Sequence, residues 1–184
     1  MNRRGELLGP QKLREVFDEL SDVLSGEGMH AQLFVVGGAA MALAYDAQRV
    51  TRDVDALFEP KAELRKLTAA VGERYGLEAD WLNDAAKGFM PGADDSPQTV
   101  YESESLLVQV PSPEYLLAMK LYASRDERDL DDAARLANIA GVTSPSQGIE
   151  LLQKKYPLAS LLPRHRFILD EVMERAAFMR DAPR

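Results

Sequence analysis

Asp53 and Asp55 stand two residues apart in Thr51-Arg-Asp-Val-Asp-Ala-Leu-Phe58. The apolar residues around them read as a strand, on which residues i and i+2 point to one face. Two carboxylates projecting together repel, so a cation belongs between them. Mg²⁺ suits the position, because it takes oxygen ligands and is commonly held by one or two carboxylates plus substrate phosphates. Upstream, Leu33-Phe-Val-Val runs into Gly37-Gly38 and then an Ala/Met/Leu segment: a buried strand, a tight turn and a helix. A Gly-Gly turn lets a phosphate approach the backbone, and the N–H groups opening the helix favour an anion. Arg49 and Arg52 bring positive charge nearby. Either they steer a triphosphate or they neutralise the two carboxylates; Arg52, whose strand position faces away from them, fits the structural role.

Lys120 is the other chemically conspicuous residue. It lies in Leu116-Leu-Ala-Met-Lys-Leu-Tyr-Ala123, which is apolar almost all round and therefore reads as a buried helix. A lysine there must snorkel to a rim or meet an anion. That anion is either a metal-held triphosphate or a carboxylate from Asp126-Glu-Arg-Asp-Leu-Asp-Asp132. Asp129 and Asp132 share a helix face and could reach Lys120 or a cleft, while Asp126 is placed to cap the helix.

The elements that must position these groups follow from periodicity. Pro10 opens a helix with Leu13, Val16, Phe17, Leu20, Val23 and Leu24 on one face, stopped by Gly26 and Gly28. His30 falls in an exposed loop. Ala39 to Tyr45 makes a short helix, and Pro60 starts another over Lys61 to Tyr75 with Leu64, Leu67 and Val71 inward. Trp81-Leu-Asn-Asp is a strand end turning into a loop. Lys87 to Gln98, with Gly88, Pro91, Gly92 and Pro97, is expected as a mobile flap. Thr99-Val-Tyr and Leu106 to Val110 read as a hairpin around Glu102-Ser-Glu-Ser. Two more helices follow, one from Ser144-Pro to Pro157 and one over Pro163 to Met179.

Gly37-Gly38 followed by Thr51-Arg-Asp-Val-Asp resembles the signature of minimal nucleotidyltransferases of the DNA polymerase β superfamily, and within it the bacterial AbiEii-type branch associated with toxin–antitoxin and phage-defence systems. The resemblance extends through Trp81-Leu-Asn-Asp and Pro113 to Ala123 with Arg125 to Asp132, roughly residues 30–140. It implies an α+β fold in which a small mixed β-sheet palm with flanking helices (1–112) carries a C-terminal helical subdomain (113–184) packed on the core. It implies transfer of a nucleoside monophosphate from an NTP to a hydroxyl, with pyrophosphate released. Asp53 and Asp55 would be catalytic and hold Mg²⁺. Gly37, Gly38 and Arg49 would bind the nucleotide, and Lys120 and Asp129 would join the site. A tRNA or other RNA would be the acceptor, and an antitoxin protein the partner. The chain departs from the pattern at one point: the strand expected to supply a third carboxylate offers Gln109. That departure keeps open a nucleotide-binding or partner-binding protein without turnover. A small-molecule adenylyltransferase is a third reading, which would need an acidic acceptor pocket from Asp94, Asp95, Glu102 and Glu104.

Composition narrows the field less. With 184 residues and 46% hydrophobic content, one domain or a core with a helical appendix fits. There is no cysteine, hence no disulfide and no thiolate metal site. A net charge of −8 argues against a dedicated nucleic-acid-binding protein but not against an enzyme with a local basic patch. The start leads into no long apolar run, and no stretch approaches the roughly 20 residues that span a bilayer. A cytoplasmic protein away from the membrane is expected.

Overall fold

The computed structural model describes residues 6–124, 126–157 and 161–182. Arg125 and the leading Met1-Asn-Arg-Arg-Gly5, both used above, lie outside them. The fold is α+β, with a five-stranded mixed sheet and helices. The chain forms two compact units, one of Met1–Gly88 with Pro97–Pro111 and one of Phe89–Ser96 with Ser112–Arg184. No helix among the described residues is long and apolar enough to cross a membrane.

In the first unit, α1 (Pro10–Gly26) buries Leu13, Val16, Phe17, Leu20 and Leu24, the apolar stripe its spacing requires, while Val23 stays half-buried. The sheet strands are β1 (Ala31–Val35), β2 (Val54–Glu59), β3 (Leu82–Asn83), β4 (Gln98–Glu102) and β5 (Leu106–Val110). They lie in the order β3-β2-β1-β5-β4. β1 pairs antiparallel with β2 and parallel with β5, and β4–β5 is the expected hairpin. Alternation divides the two faces of the sheet. Leu33, Val35, Val54, Ala56, Phe58, Leu106, Val108 and Val110 are buried on one. Phe34, Asp55, Leu57 and Gln109 are half-buried on the other, with Gln32 and Glu59 exposed.

Between β1 and β2 the chain forms α2 (Gly37–Ala40), which passes directly into a π-helical turn, Met41–Tyr45. The left-handed backbone falls on Gly37, at φ 65°, and not on Gly38. α3 (Lys61–Arg74) follows β2, with Leu64, Thr68 and Val71 buried and Leu67 half-buried. Gly72 is where Trp81 enters: a Cβ there would stand 2.6 Å from Trp81 Cδ1. The indole is fully buried and donates to the Thr68 carbonyl at 2.8 Å, which fixes the start of β3 beside β2.

The second unit contains α4 (Pro113–Ala123), α5 (Glu127–Ala140), α6 (Pro145–Lys155) and α7 (Pro163–Asp181). α4 is buried from Tyr115 to Leu121, as its composition requires. α5 packs on α4 and α7. Ser112, Asp126 and Ser144 cap three of these helices through their side chains. Of the segment expected as a mobile flap, residues 89–96 belong to this unit and hydrogen-bond within it. Asp94 accepts from both the amide and the hydroxyl of Ser112, at 2.6 and 2.8 Å. Tyr115 donates to the Pro91 carbonyl at 2.9 Å and Tyr156 to that of Phe89 at 2.7 Å. Its glycines and prolines shape a turn, and distant side chains hold that turn in place.

Candidate functional site

Asp55 lies on β2, turned away from the core, with Asn83 of β3 beside it in register. Asp53 does not sit within the strand as the spacing predicts; it is exposed and precedes β2 by one residue. The cause is upstream. Thr51 forms an isolated bridge with Leu8, its N–H and C=O taken at 3.0 and 2.8 Å, and the chain bends at Arg52 before pairing resumes. Arg52 is exposed on that bend.

Asp55 nevertheless borders the diglycine directly, and Asp53 through Thr51. A Cβ at Gly37 would stand 3.3 Å from Asp55 Oδ2. One at Gly38 would stand 3.0 Å from Thr51 Oγ1 and 3.4 Å from an Arg49 guanidinium nitrogen. The Thr51 hydroxyl also lies 3.3 Å from Asp53 Oδ1, within hydrogen-bonding reach. Arg49 is half-buried, and another of its nitrogens donates to the Val50 carbonyl at 2.8 Å, which holds the side chain near the turn. Gly37, Gly38, Arg49, Asp53 and Asp55 thus come together, and Thr51 joins them. The sequence pattern assigns Thr51 no role of its own; its position two residues before Asp53 is the signal that points to it.

Asp84 is occupied elsewhere. It accepts from Lys61 at 2.9 Å and from Arg65 at 3.2 Å. The Lys61 hydrogen bond leads in holding its carboxyl below the ordinary carboxylate range. Gln109 lies beside Phe34 in the sheet, which in turn faces Leu57, and its amide donates to Thr99 Oγ1 at 3.4 Å. It shares the face of Asp55 but brings no charge. Among the described residues, no three histidines or acidic residues assemble into a group that could hold a metal ion. Asp53 and Asp55 offer oxygen donors only, the ligand type that a hard cation shares with phosphate oxygens.

Lys120 and Asp129 belong to the second unit, the other five candidates to the first. Lys120 is 8% exposed, and its ammonium donates to Asp129 Oδ1 at 2.6 Å and to Asp132 Oδ2 at 2.8 Å. Asp132 is 4% exposed. The acidic partner that sequence reasoning set beside the triphosphate as an alternative is present, in duplicate.

A mixed sheet with a diglycine turn leaving one central strand, and Asp-x-Asp opening its antiparallel neighbour, is the frame of a small nucleotidyltransferase. The family model described as nucleotidyltransferase of unknown function (DUF6036) matches residues 11–144, and the chain belongs to that family. No curated protein and no solved structure matches it.

Proposed function

We propose that this protein transfers a nucleoside monophosphate from an NTP to a hydroxyl group. The observation that carries the proposal is the closeness of Asp55 and the Thr51–Asp53 pair to the two glycines. Phosphate oxygens entering over Gly37 and Gly38 meet the opening N–H groups of α2, which have no partner within the helix. Arg49 supplies positive charge on the same side. Asp53 and Asp55 would hold Mg²⁺, which when bound offsets the charge that moves onto the departing pyrophosphate. The acceptor oxygen forms a bond to the α-phosphorus, and the bond from that phosphorus to the pyrophosphate oxygen breaks. The acceptor proton passes to a carboxylate or to water, because the Gln109 amide takes none. An RNA end, tRNA included, is the acceptor class suggested by the toxin-like resemblance, and an antitoxin protein the corresponding partner.

Gln109 favours a second reading, in which the protein binds nucleotide without turnover. A small-molecule adenylyltransferase has less support, since Asp94 is engaged by Ser112. Incubation with labelled NTPs, Mg²⁺ and total bacterial RNA separates the first two. Acid-precipitable label that is lost in Asp55→Asn supports transfer. Magnesium-dependent NTP binding without label in any product supports the second.

A further inference from the structure

On the sheet face that carries Asp55, a cavity of about 310 Å³ opens over the cross-strand pair Phe34–Leu57. It lies wholly within the first unit, and its volume is at the lower end for small-ligand sites. Leu57 is two residues beyond Asp55 on the same face, roughly 6.6 Å along the strand. The diglycine lies at the other side of Asp55, at the C-terminal end of β1. The order along the sheet is therefore phosphate cradle, carboxylate, cavity. Phosphoryl transfer places attacking and leaving oxygens roughly in line. If pyrophosphate departs over the glycines, the acceptor must come from the side of the cavity.

The lining states what that acceptor is. Phe34 and Leu57 contribute apolar side chains to it, and Gln32 and Gln109 offer amides that can both donate and accept. Lys61 and Lys87 stand at the rim. Lys61 shares Asp84 with Arg65, and Glu59 also lines the space, so the surrounding charge is one positive in excess. A planar ring with hydrogen-bonding edges and an attached anion matches this set. We infer that the cavity is the acceptor subsite and takes one nucleotide unit bearing a free hydroxyl, either a free nucleotide or the end of an RNA strand. The inference builds on the transfer reading above, but the binding it asserts can be measured without turnover.

The test uses the full chain with Mg²⁺ and a saturating non-hydrolysable NTP, so that the cradle is filled. Binding of a fluorescent six-nucleotide single-stranded RNA is followed by anisotropy, with AMP as competitor. Phe34→Leu, which keeps the cavity apolar, should weaken RNA binding at least about fivefold, the lower end for losing one base–ring stack. Lys87→Glu, at an exposed position, should weaken it and flatten its salt dependence. The affinity for NTP should stay as in the wild type. Competition by AMP at comparable concentration would identify a free nucleotide as the occupant; its absence would identify an RNA end. RNA binding that depends on Lys87, in a protein whose NTP affinity ignores Asp55→Asn, would uphold the cavity and remove the transfer reading. Binding of neither the RNA by anisotropy nor AMP by calorimetry in the wild type, or binding by both variants equal to that of the wild type, would overturn the assignment.

Discussion

Asp55 Oδ2 lies 3.3 Å from where a Cβ would stand on Gly37, and Gly37 has a left-handed backbone at φ 65°. Two separate costs of adding a side chain coincide at this residue. Gly28 isolates one of them: its φ is 64°, and nothing lies within 4 Å of its Cβ position. Gly37→Ala and Gly28→Ala should each lose about 1–2 kcal/mol of stability from the left-handed backbone. Only Gly37→Ala should also weaken NTP binding, because its methyl group crowds the carboxylate and the phosphate path. Urea unfolding and NTP titration on both variants check this, and equal NTP affinities would reduce the diglycine to a turn.

Asp53→Asn and Asp55→Asn should each reduce magnesium-dependent NTP affinity while leaving the fold intact. Asp53 is exposed and Asp55 half-buried, so neither amide disturbs the core. Without metal, the melting temperature of Asp53→Asn should hold, since Asp53 is exposed. Calorimetric titration of ATP with and without Mg²⁺ measures the difference, and magnesium dependence that survives in both variants removes their assignment as ligands.

Asp94→Ala addresses the segment that its composition marks as a flap. The carboxylate holds Ser112, whose hydroxyl in turn accepts from the Tyr115 amide at 3.3 Å and caps α4. Loss of that support should cost about 0.5–2 kcal/mol, the range for a lost helix cap. A faster enzyme of unchanged stability would instead restore the flap.

What was legible in the sequence was what local chemistry determines. The diglycine, the Asp-x-Asp pair and the amphipathic stripe of α1 each act through neighbours a few residues away. What escaped depends on distant partners. Thr51 is held by Leu8, and that bridge leaves Asp53 outside β2. Asp94 sits in a stretch that reads as loop and finds Ser112 beyond the β4–β5 hairpin. Lys120 had two kinds of anion open to it on sequence grounds, and only the packing of α4 on α5 distinguishes them.

His165 should make stability depend on pH. Its ring is 1% exposed, and Nδ1 accepts from the Leu162 amide at 2.9 Å. Nε2 is buried without a hydrogen-bond partner among the described residues. The ring stacks on Tyr122, centroids 5.5 Å apart. Burial first, then the charge of Arg164, hold its pKa below the ordinary 6.5, against a smaller upward pull from the Tyr122 backbone. As pH falls through 6.5 the unfolded chain takes up a proton that the folded chain resists, so stability is lost on acidification. The melting temperature should decline from about pH 7 downward, and His165→Phe should remove this component. Parallel declines in the two proteins would assign the effect to other groups.

Lys120→Met should lower stability. Methionine suits an apolar helix, but the substitution leaves Asp132, 4% exposed, without its ammonium. Removing one partner of a buried ion pair costs about 3–5 kcal/mol, whereas replacing both by apolar residues is often neutral or stabilising. Asp129, with a side chain 25% exposed, can be resolvated at smaller cost. The double variant Lys120→Met/Asp132→Leu should therefore recover most of what the single variant loses. It also separates the clamp from the triphosphate role that the family resemblance implies for Lys120. A stable double variant with wild-type NTP affinity would confine Lys120 to joining α4 and α5. One that is stable but has lost NTP affinity would return Lys120 to the nucleotide, and the clamp would then be a second use of the same charge.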